Sequence, residues 1–251
     1  MSHRVVGVVG ASGGVGTSTL AVALAMRAGR ALGAVACVDL VLGSGGLDVT
    51  ACVEHLPGLR WQDLAGARGR LDGADLLAAL PAEGPARILS AGGPAGGVDG
   101  FGDGSAGAGR LQPVPPDPVV ADCVSALSAV CALTVLDLGT TTRWASLCTD
   151  LVLVAGTAAR QLADAGAAVA ALTTPVGAEV RLVLRTGRRG AVAPEDVAAH
   201  LDLPLGAVLP DDPRSVADAD RGRPPGSRAG GATSVAADRV LQECGLLGVP
   251  A

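Results

Sequence analysis

The sequence predicts an α/β fold, a doubly wound, mostly parallel sheet with helices on both faces. Three observations predict it. Short apolar runs alternate along the chain with amphipathic or alanine-rich segments of helical length. Those runs are continuously apolar, which suits strands covered on both faces. The first of them, Val5-Val6-Gly7-Val8-Val9, enters the glycine turn Gly10-Ala11-Ser12-Gly13-Gly14-Val15-Gly16 and passes at Thr17 into an amphipathic helix. Strand, glycine turn and helix together aim backbone N–H groups and a helix N-terminus at an anionic ligand.

The elements follow in order. A helix is expected from Thr17 to about Leu32, then a strand from Ala34 that ends in Asp39. Residues 70–77 have helical spacing. Arg87-Ile88-Leu89-Ser90 reads as a short strand, and residues 91–116, rich in Gly, Pro and Ala, as a mobile surface loop. Asp117-Pro118 predicts a helix start, with Asp as the cap and Pro at the first helical position. Leu133 to Thr140 contains an apolar strand reaching Asp137, and Asp150 to Val154 is another, followed by an alanine-rich helix to about Leu172. Strands at Val180–Arg185 and Leu205–Leu209 alternate with helices opening at Pro194-Glu195-Asp196 and Asp212-Pro213, the latter running into Arg221-Gly222-Arg223. Residues 233–247 form a closing amphipathic helix. Residues 1–251 are expected to make one domain.

Composition narrows the function classes. The net charge is −5 and there is one Phe and no Tyr, so neither a basic footprint nor stacking platforms favour nucleic acid. Cysteines at 37, 52, 123, 131, 148 and 244 lack CxxC spacing and read as small buried hydrophobes in a reducing cytoplasm. No apolar run reaches membrane-spanning length, and the N-terminus enters a strand directly rather than a signal-peptide pattern. No lysine occurs, and all 19 cations other than histidine are arginines. Among them Arg181, Arg185, Arg188 and Arg189 cluster in sequence, a pattern read as a solvated surface rather than a DNA-binding patch. Trp61 is read as a side chain covering the edge of the core.

Two ligand classes compete for the glycine turn. Gly10-x-x-Gly13-x-x-Gly16, with Asp39 closing the next strand about 20 residues on, fits loosely with a dinucleotide fingerprint. Ser18, directly after the turn, stands where a nucleotide triphosphatase places its Mg²⁺-ligating hydroxyl. At Ser12-Gly13-Gly14-Val15-Gly16-Thr17-Ser18-Thr19 the loop resembles the deviant Walker A motif of the MinD/ParA ATPases, Lys-Gly-Gly-x-Gly-Lys-Ser/Thr-Thr, with Ser12 and Thr17 in place of its two lysines. Asp39 matches the first acid of the family's Asp-x-Asp, and Val41 replaces the second, the one associated with the attacking water. Leu47-Asp48 after Gly45-Gly46 fits its glycine-leucine-aspartate continuation. Asp137 ends a strand resembling Walker B, Pro210 matches the proline that packs on the base, and Arg185 replaces the asparagine that reads adenine. Residues 54–80 resemble a segment of the actinobacterial CpaE-like branch, found beside Flp-type pilus and secretion machinery and sometimes named septum-site proteins. Longer CpaE-like relatives carry an extra N-terminal domain, which this chain, starting at its first strand, is expected to lack.

The resemblance covers nearly the whole chain. It implies a MinD/ParA-like P-loop fold and a weak ATP or ADP site with Mg, formed by Gly13, Gly14, Val15, Gly16, Thr17, Ser18, Thr19 and Pro210. Ser18, Asp39 and Asp137 would hold the metal. It further implies a cytoplasmic homodimer that works with pilus, secretion or division proteins and meets membranes only through partners. Three functions remain open. The first is a positioning or assembly factor that has lost catalytic groups, a pseudo-ATPase. The second is an active Mg-ATPase. The third is an NAD(P)-binding Rossmann oxidoreductase. The last is weakened because short-chain reductases use a Tyr and Lys pair as acid and the chain has neither. His3, His55 and His200 sit in no recognisable motif.

Overall fold

The computed structural model describes residues 3–41, 46–67, 69–82, 84–91, 115–172, 178–187 and 192–248. Its strands are β1 (Val5–Gly10), β2 (Val35–Asp39), β3 (Arg87–Leu89), β4 (Leu133–Asp137), β5 (Asp150–Gly156), β6 (Glu179–Thr186) and β7 (Leu205–Pro210). Its helices are α1 (Thr17–Leu32), α2 (Leu47–Thr50), α3 (Trp61–Leu64), α4 (Gly73–Ala79), α5 (Asp117–Val130), α6 (Ala159–Leu172), α7 (Pro194–Leu201), α8 (Pro213–Ala219) and α9 (Ala232–Glu243), with a 3₁₀ turn at Ala145–Leu147.

All seven strands belong to one sheet in the order β3-β2-β4-β1-β5-β6-β7. Every adjacent pair is parallel. The chain winds from β1 out to β2 and β3, returns to β4 beside β1, and then crosses to β5 on the other flank. Direction therefore reverses around β1, and ligands of open α/β sheets bind at such a reversal, beyond the carboxyl ends of the strands.

The continuous apolar strands are explained by apolar cores on both faces of the sheet. Val6 and Val8 of β1 point to one face with Leu20 and Leu24 of α1 and Val240 and Leu241 of α9. Val5 and Val9 point to the other with Trp61, Leu76, Leu127 and Trp144. Leu20 and Leu24 are fully buried. Each such side chain contributes about 1.5–3 kcal/mol relative to exposure, so α1 is firmly seated and its N-terminus is a fixed object. α9 spends its apolar face on this core, and its Asp238 accepts a bidentate pair from Arg27 of α1 at 2.7 and 2.8 Å. No helix among the described residues is long and apolar enough to cross a membrane. All six cysteines are buried and none of them forms a disulfide.

Several boundaries differ from expectation. Pro116, not Asp117, is the cap residue of α5. Asp117 lies in the first turn and pairs with Arg143, so its carboxylate serves a neighbouring loop instead of the helix N–H groups. The helix expected at 70–77 starts at Gly73, because the Asp72 carboxylate accepts from the N–H groups of Ala74 and Asp75. α8 ends at Ala219 and α9 at Glu243, both short of the expected ends. The one-turn helices α2 and α3 carry no periodic signal in so few residues. Of the loop expected at 91–116, residues 92–114 lie outside the described residues, as do Gly45, Arg188 and Arg189.

Candidate functional site

The glycine turn sits at the carboxyl end of β1. Its entrance is fixed on both sides: the Gly10 N–H donates to the Gly139 carbonyl at 2.6 Å and the Ala11 N–H to the Val154 carbonyl at 2.8 Å. Val15 plugs into the core at 1% exposure, while Gly13 and Gly14 face solvent. Gly14 and Gly16 have φ of 75° and 97°, a left-handed conformation that side chains with a Cβ rarely adopt. A Cβ at Gly13 or Gly14 would meet nothing within 4 Å, so open space lies over the turn. Gly16 caps α1 with no side-chain hydrogen bond, which leaves the first N–H groups of that helix without side-chain acceptors. Ser12 has a buried Oγ with no hydrogen-bond partner among the described residues.

Parallel pairing then brings two carboxylates together. Asp39 at the end of β2 is in register with Asp137 at the end of β4. The Ser18 hydroxyl donates to the Asp137 carboxylate, which also accepts from the Gly139 N–H at 3.1 Å. Asp39 accepts from the N–H groups of Val41 (2.9 Å) and Leu47 (2.8 Å) and from the Ser90 hydroxyl (2.8 Å). The indole N–H of Trp61 donates to the Asp39 backbone carbonyl at 2.6 Å. Both carboxylates are 1% exposed. Burial pushes the Asp39 carboxyl up to about 6, against the opposing pull of its hydrogen bonds. Burial likewise raises Asp137, against its bonds from Ser18 and Gly139. Burial and the two acids beside it raise the Cys37 thiol well above its usual range.

Ser18, Asp39 and Asp137 line a cavity of about 250 Å³ closed on its far side by α2. The donors are hard oxygens, and among the described residues no group of three or more His, Cys, Asp or Glu could hold a metal alone. Two carboxylates and a hydroxyl beside a glycine turn and a helix N-terminus fit Mg²⁺, an ion that keeps waters and takes phosphate oxygens as its remaining ligands. Val41 packs against Gly139 at the rim, so the position of the family's second acid is apolar there.

A second cavity, of about 410 Å³, lies on the other side of the turn, between Gly16 and Thr19 on one wall and β6, β7 and α8 on the others. Pro210 lines it. Arg185, at the end of β6, crosses its mouth: Nε donates to Asp211 at 2.8 Å and Nη1 to the Gly14 carbonyl at 3.1 Å. α8 is held as the outer wall by Asp212, which caps it and pairs with Arg228, itself paired with Asp218.

The structure thus brings Gly13 to Thr19, Asp39 and Asp137 around one loop, with Pro210 on the neighbouring cavity. Of the arginine cluster, only Arg181 and Arg185 lie among the described residues, and they serve different places. Arg181 lies lower on β6, tied to Asp150 and Glu179, whereas Arg185 faces the loop. Trp61 belongs to the core, as expected, but it also carries the backbone of Asp39. Ser90 and the Leu47 N–H escaped sequence reasoning; Ser90 is 51 residues from Asp39 in sequence, and only its place after an apolar strand hinted at it.

No protein-family model matches the chain. Two uncharacterized proteins of Mycobacterium tuberculosis, from strains CDC 1551 and H37Rv, are each 32% identical to it over 219 residues, 87% of this chain. The chain spans 57% of the length of these relatives. Among solved structures, a ParA family ATPase from Chlorobium tepidum superposes with a TM-score of 0.74 at 17% identity, over 96% of this chain and 99% of that one. The septum site-determining protein MinD of Pyrococcus horikoshii, solved in complex with Mg-ADP, superposes with a TM-score of 0.71 at 21% identity, over 96% and 95%. The fold is that of the MinD/ParA P-loop ATPases.

Proposed function

We propose that this chain is a MinD/ParA-type nucleotide-binding module of the CpaE-like branch, one that binds Mg-nucleotide weakly, does not turn it over, and positions or assembles a pilus, secretion or septum machine as a cytoplasmic homodimer. The observation that carries the binding half is the convergence of Ser18, Asp39 and Asp137 on one cavity beside an uncapped helix N-terminus. The nucleotide would lie along Gly13 to Thr19, its base towards Pro210, with Ser18 and the two aspartates holding Mg²⁺. When bound, the ion neutralises charge on the phosphates. The Mg-ADP complex of the Pyrococcus MinD supports this reading by likeness of fold.

Loss of turnover rests on three residues. Ser12 and Thr17 are not cations, and Val41 presents methyl groups where an acid would orient water. Phosphoryl transfer is catalysed mainly by positioning and electrostatics, so N–H dipoles alone can hold phosphates while stabilising little of the charge developed in the transition state. Calorimetry with Mg-ATP tests the reading. The expected result is millimolar to high-micromolar affinity, weakened by Gly14→Val, and no phosphate release above a Ser18→Ala, Asp137→Ala control. Absence of heat at millimolar ligand refutes nucleotide binding. Release that rises with protein concentration and vanishes in the control refutes the pseudo-ATPase.

A further inference from the structure

The loop has lost both lysines, yet a cation stands over it. Arg185 comes from the end of β6, 171 residues away from Gly14 in sequence, and its Nη1 donates to the Gly14 carbonyl at 3.1 Å. The same atom would lie 3.3 Å from a Cβ at Gly16, so the guanidinium covers the turn itself and not merely the strand end. Asp211 receives Nε at 2.8 Å and is fixed in turn by its own N–H, which donates to the Thr186 carbonyl at 3.0 Å. A guanidinium has five N–H donors in a rigid fork. Among the described residues these two contacts use two of them, and the rest are available at the mouth of the cavity. Arg185 and Asp211 are 40% and 45% exposed, so the pair is open to solvent and to a ligand.

Resting on the nucleotide reading above, we infer that Arg185 is the phosphate-neutralising cation of this site, supplied within the same chain from β6 in place of the loop lysines. The base-reading position has become a phosphate-binding one. Asp211 sets the plane of the fork, and the Gly14 carbonyl holds its tip against the turn. An anion bound by the N–H groups of the loop meets the unspent donors of Arg185 without any long side chain having to reorder.

The test titrates two probes, Mg-ADP and Mg-pyrophosphate, against the wild type, Arg185→Gln and Arg185→Lys, by calorimetry at two salt concentrations. Thermal melting of each protein without ligand checks folding. Losing one charge-assisted contact to phosphate weakens binding by about ten- to a hundred-fold. The expected result is a loss of that size in Arg185→Gln for both probes, partial recovery in Arg185→Lys, and a shallower salt dependence in Arg185→Gln. A loss for Mg-ADP without one for Mg-pyrophosphate overturns the inference, because it makes Arg185 a base or ribose contact. Equal or tighter binding by Arg185→Gln also overturns it, the latter making Arg185 a plug. If the wild type binds neither probe, the nucleotide reading fails and this one with it; if wild type and Arg185→Gln bind alike, only this one fails.

Discussion

Replacing Asp39 with Asn should abolish a pH dependence of stability that the fold builds into the ligand-free protein. Asp39 is 1% exposed, and its carboxyl titrates at about 6 in the folded chain against 3.8 for an ordinary aspartate. A raised acid binds its proton more tightly when folded. Its contribution is therefore fully present below the unfolded value and is lost as pH rises through about 6. The shift corresponds to about 3 kcal/mol of stability lost between roughly pH 3 and pH 7. Asn cannot ionise, but its amide nitrogen must face one of the donors that Asp39 now satisfies, the N–H of Val41 or the N–H and hydroxyl of Leu47 and Ser90. That mismatch costs about 1–3 kcal/mol at every pH. Urea unfolding of both proteins at pH 4.5, 6 and 8, taken as wild type minus variant, cancels the titrations of groups not coupled to Asp39. The difference should favour the wild type at pH 4.5 and move towards the variant by about 2 kcal/mol between pH 4.5 and pH 8. Millimolar Mg²⁺ at pH 8 should restore stability to the wild type and not to the variant. A difference that is flat with pH refutes the reasoning, because it means that Asp39 is solvated in the folded chain.

Three further outcomes are expected. Trp61→Phe removes the indole N–H from the buried Asp39 carbonyl and should cost about 1–3 kcal/mol in urea unfolding, beyond what the smaller ring loses. Gly16→Ala places a Cβ at φ 97° and should destabilise by about 1–2 kcal/mol while weakening Mg-ADP binding, measured by melting and calorimetry. Restoring Lys at 12 and 17 should tighten Mg-ATP binding first, and phosphate release should appear only when Val41→Asp is added.

The strands, the glycine turn and the acids that end β2 and β4 were legible because they are local. A continuous apolar run predicts a strand buried on both faces, and a glycine pair before Thr-Ser-Thr predicts a turn feeding a helix, whatever lies elsewhere in the chain. The expectation that Ser18, Asp39 and Asp137 share a site followed from strand order in a family the loop resembles, and parallel register places the last two side by side. The cap of α5 was misplaced by one residue because Asp-Pro signals a helix start without saying which residue supplies the cap. A partner across the fold decided it, since Arg143 takes the Asp117 carboxylate.

Sequence alone therefore determined the strands, the longer helices and the absence of lysine from the loop, all of which are properties of neighbouring residues. Tertiary structure alone decided which cation reaches the glycine turn and what supports the buried acids. Arg185 looks like one member of a surface cluster until β6 is aligned beside β7, when Asp211 takes its Nε and the turn after β1 takes its tip. Ser90 and Trp61 look like a strand end and a core aromatic until the parallel pairing of β2 and β3 brings both to Asp39. A hydrogen bond depends on a few ångströms of separation and on direction, and chain positions tens to hundreds of residues apart acquire these only when the sheet is assembled.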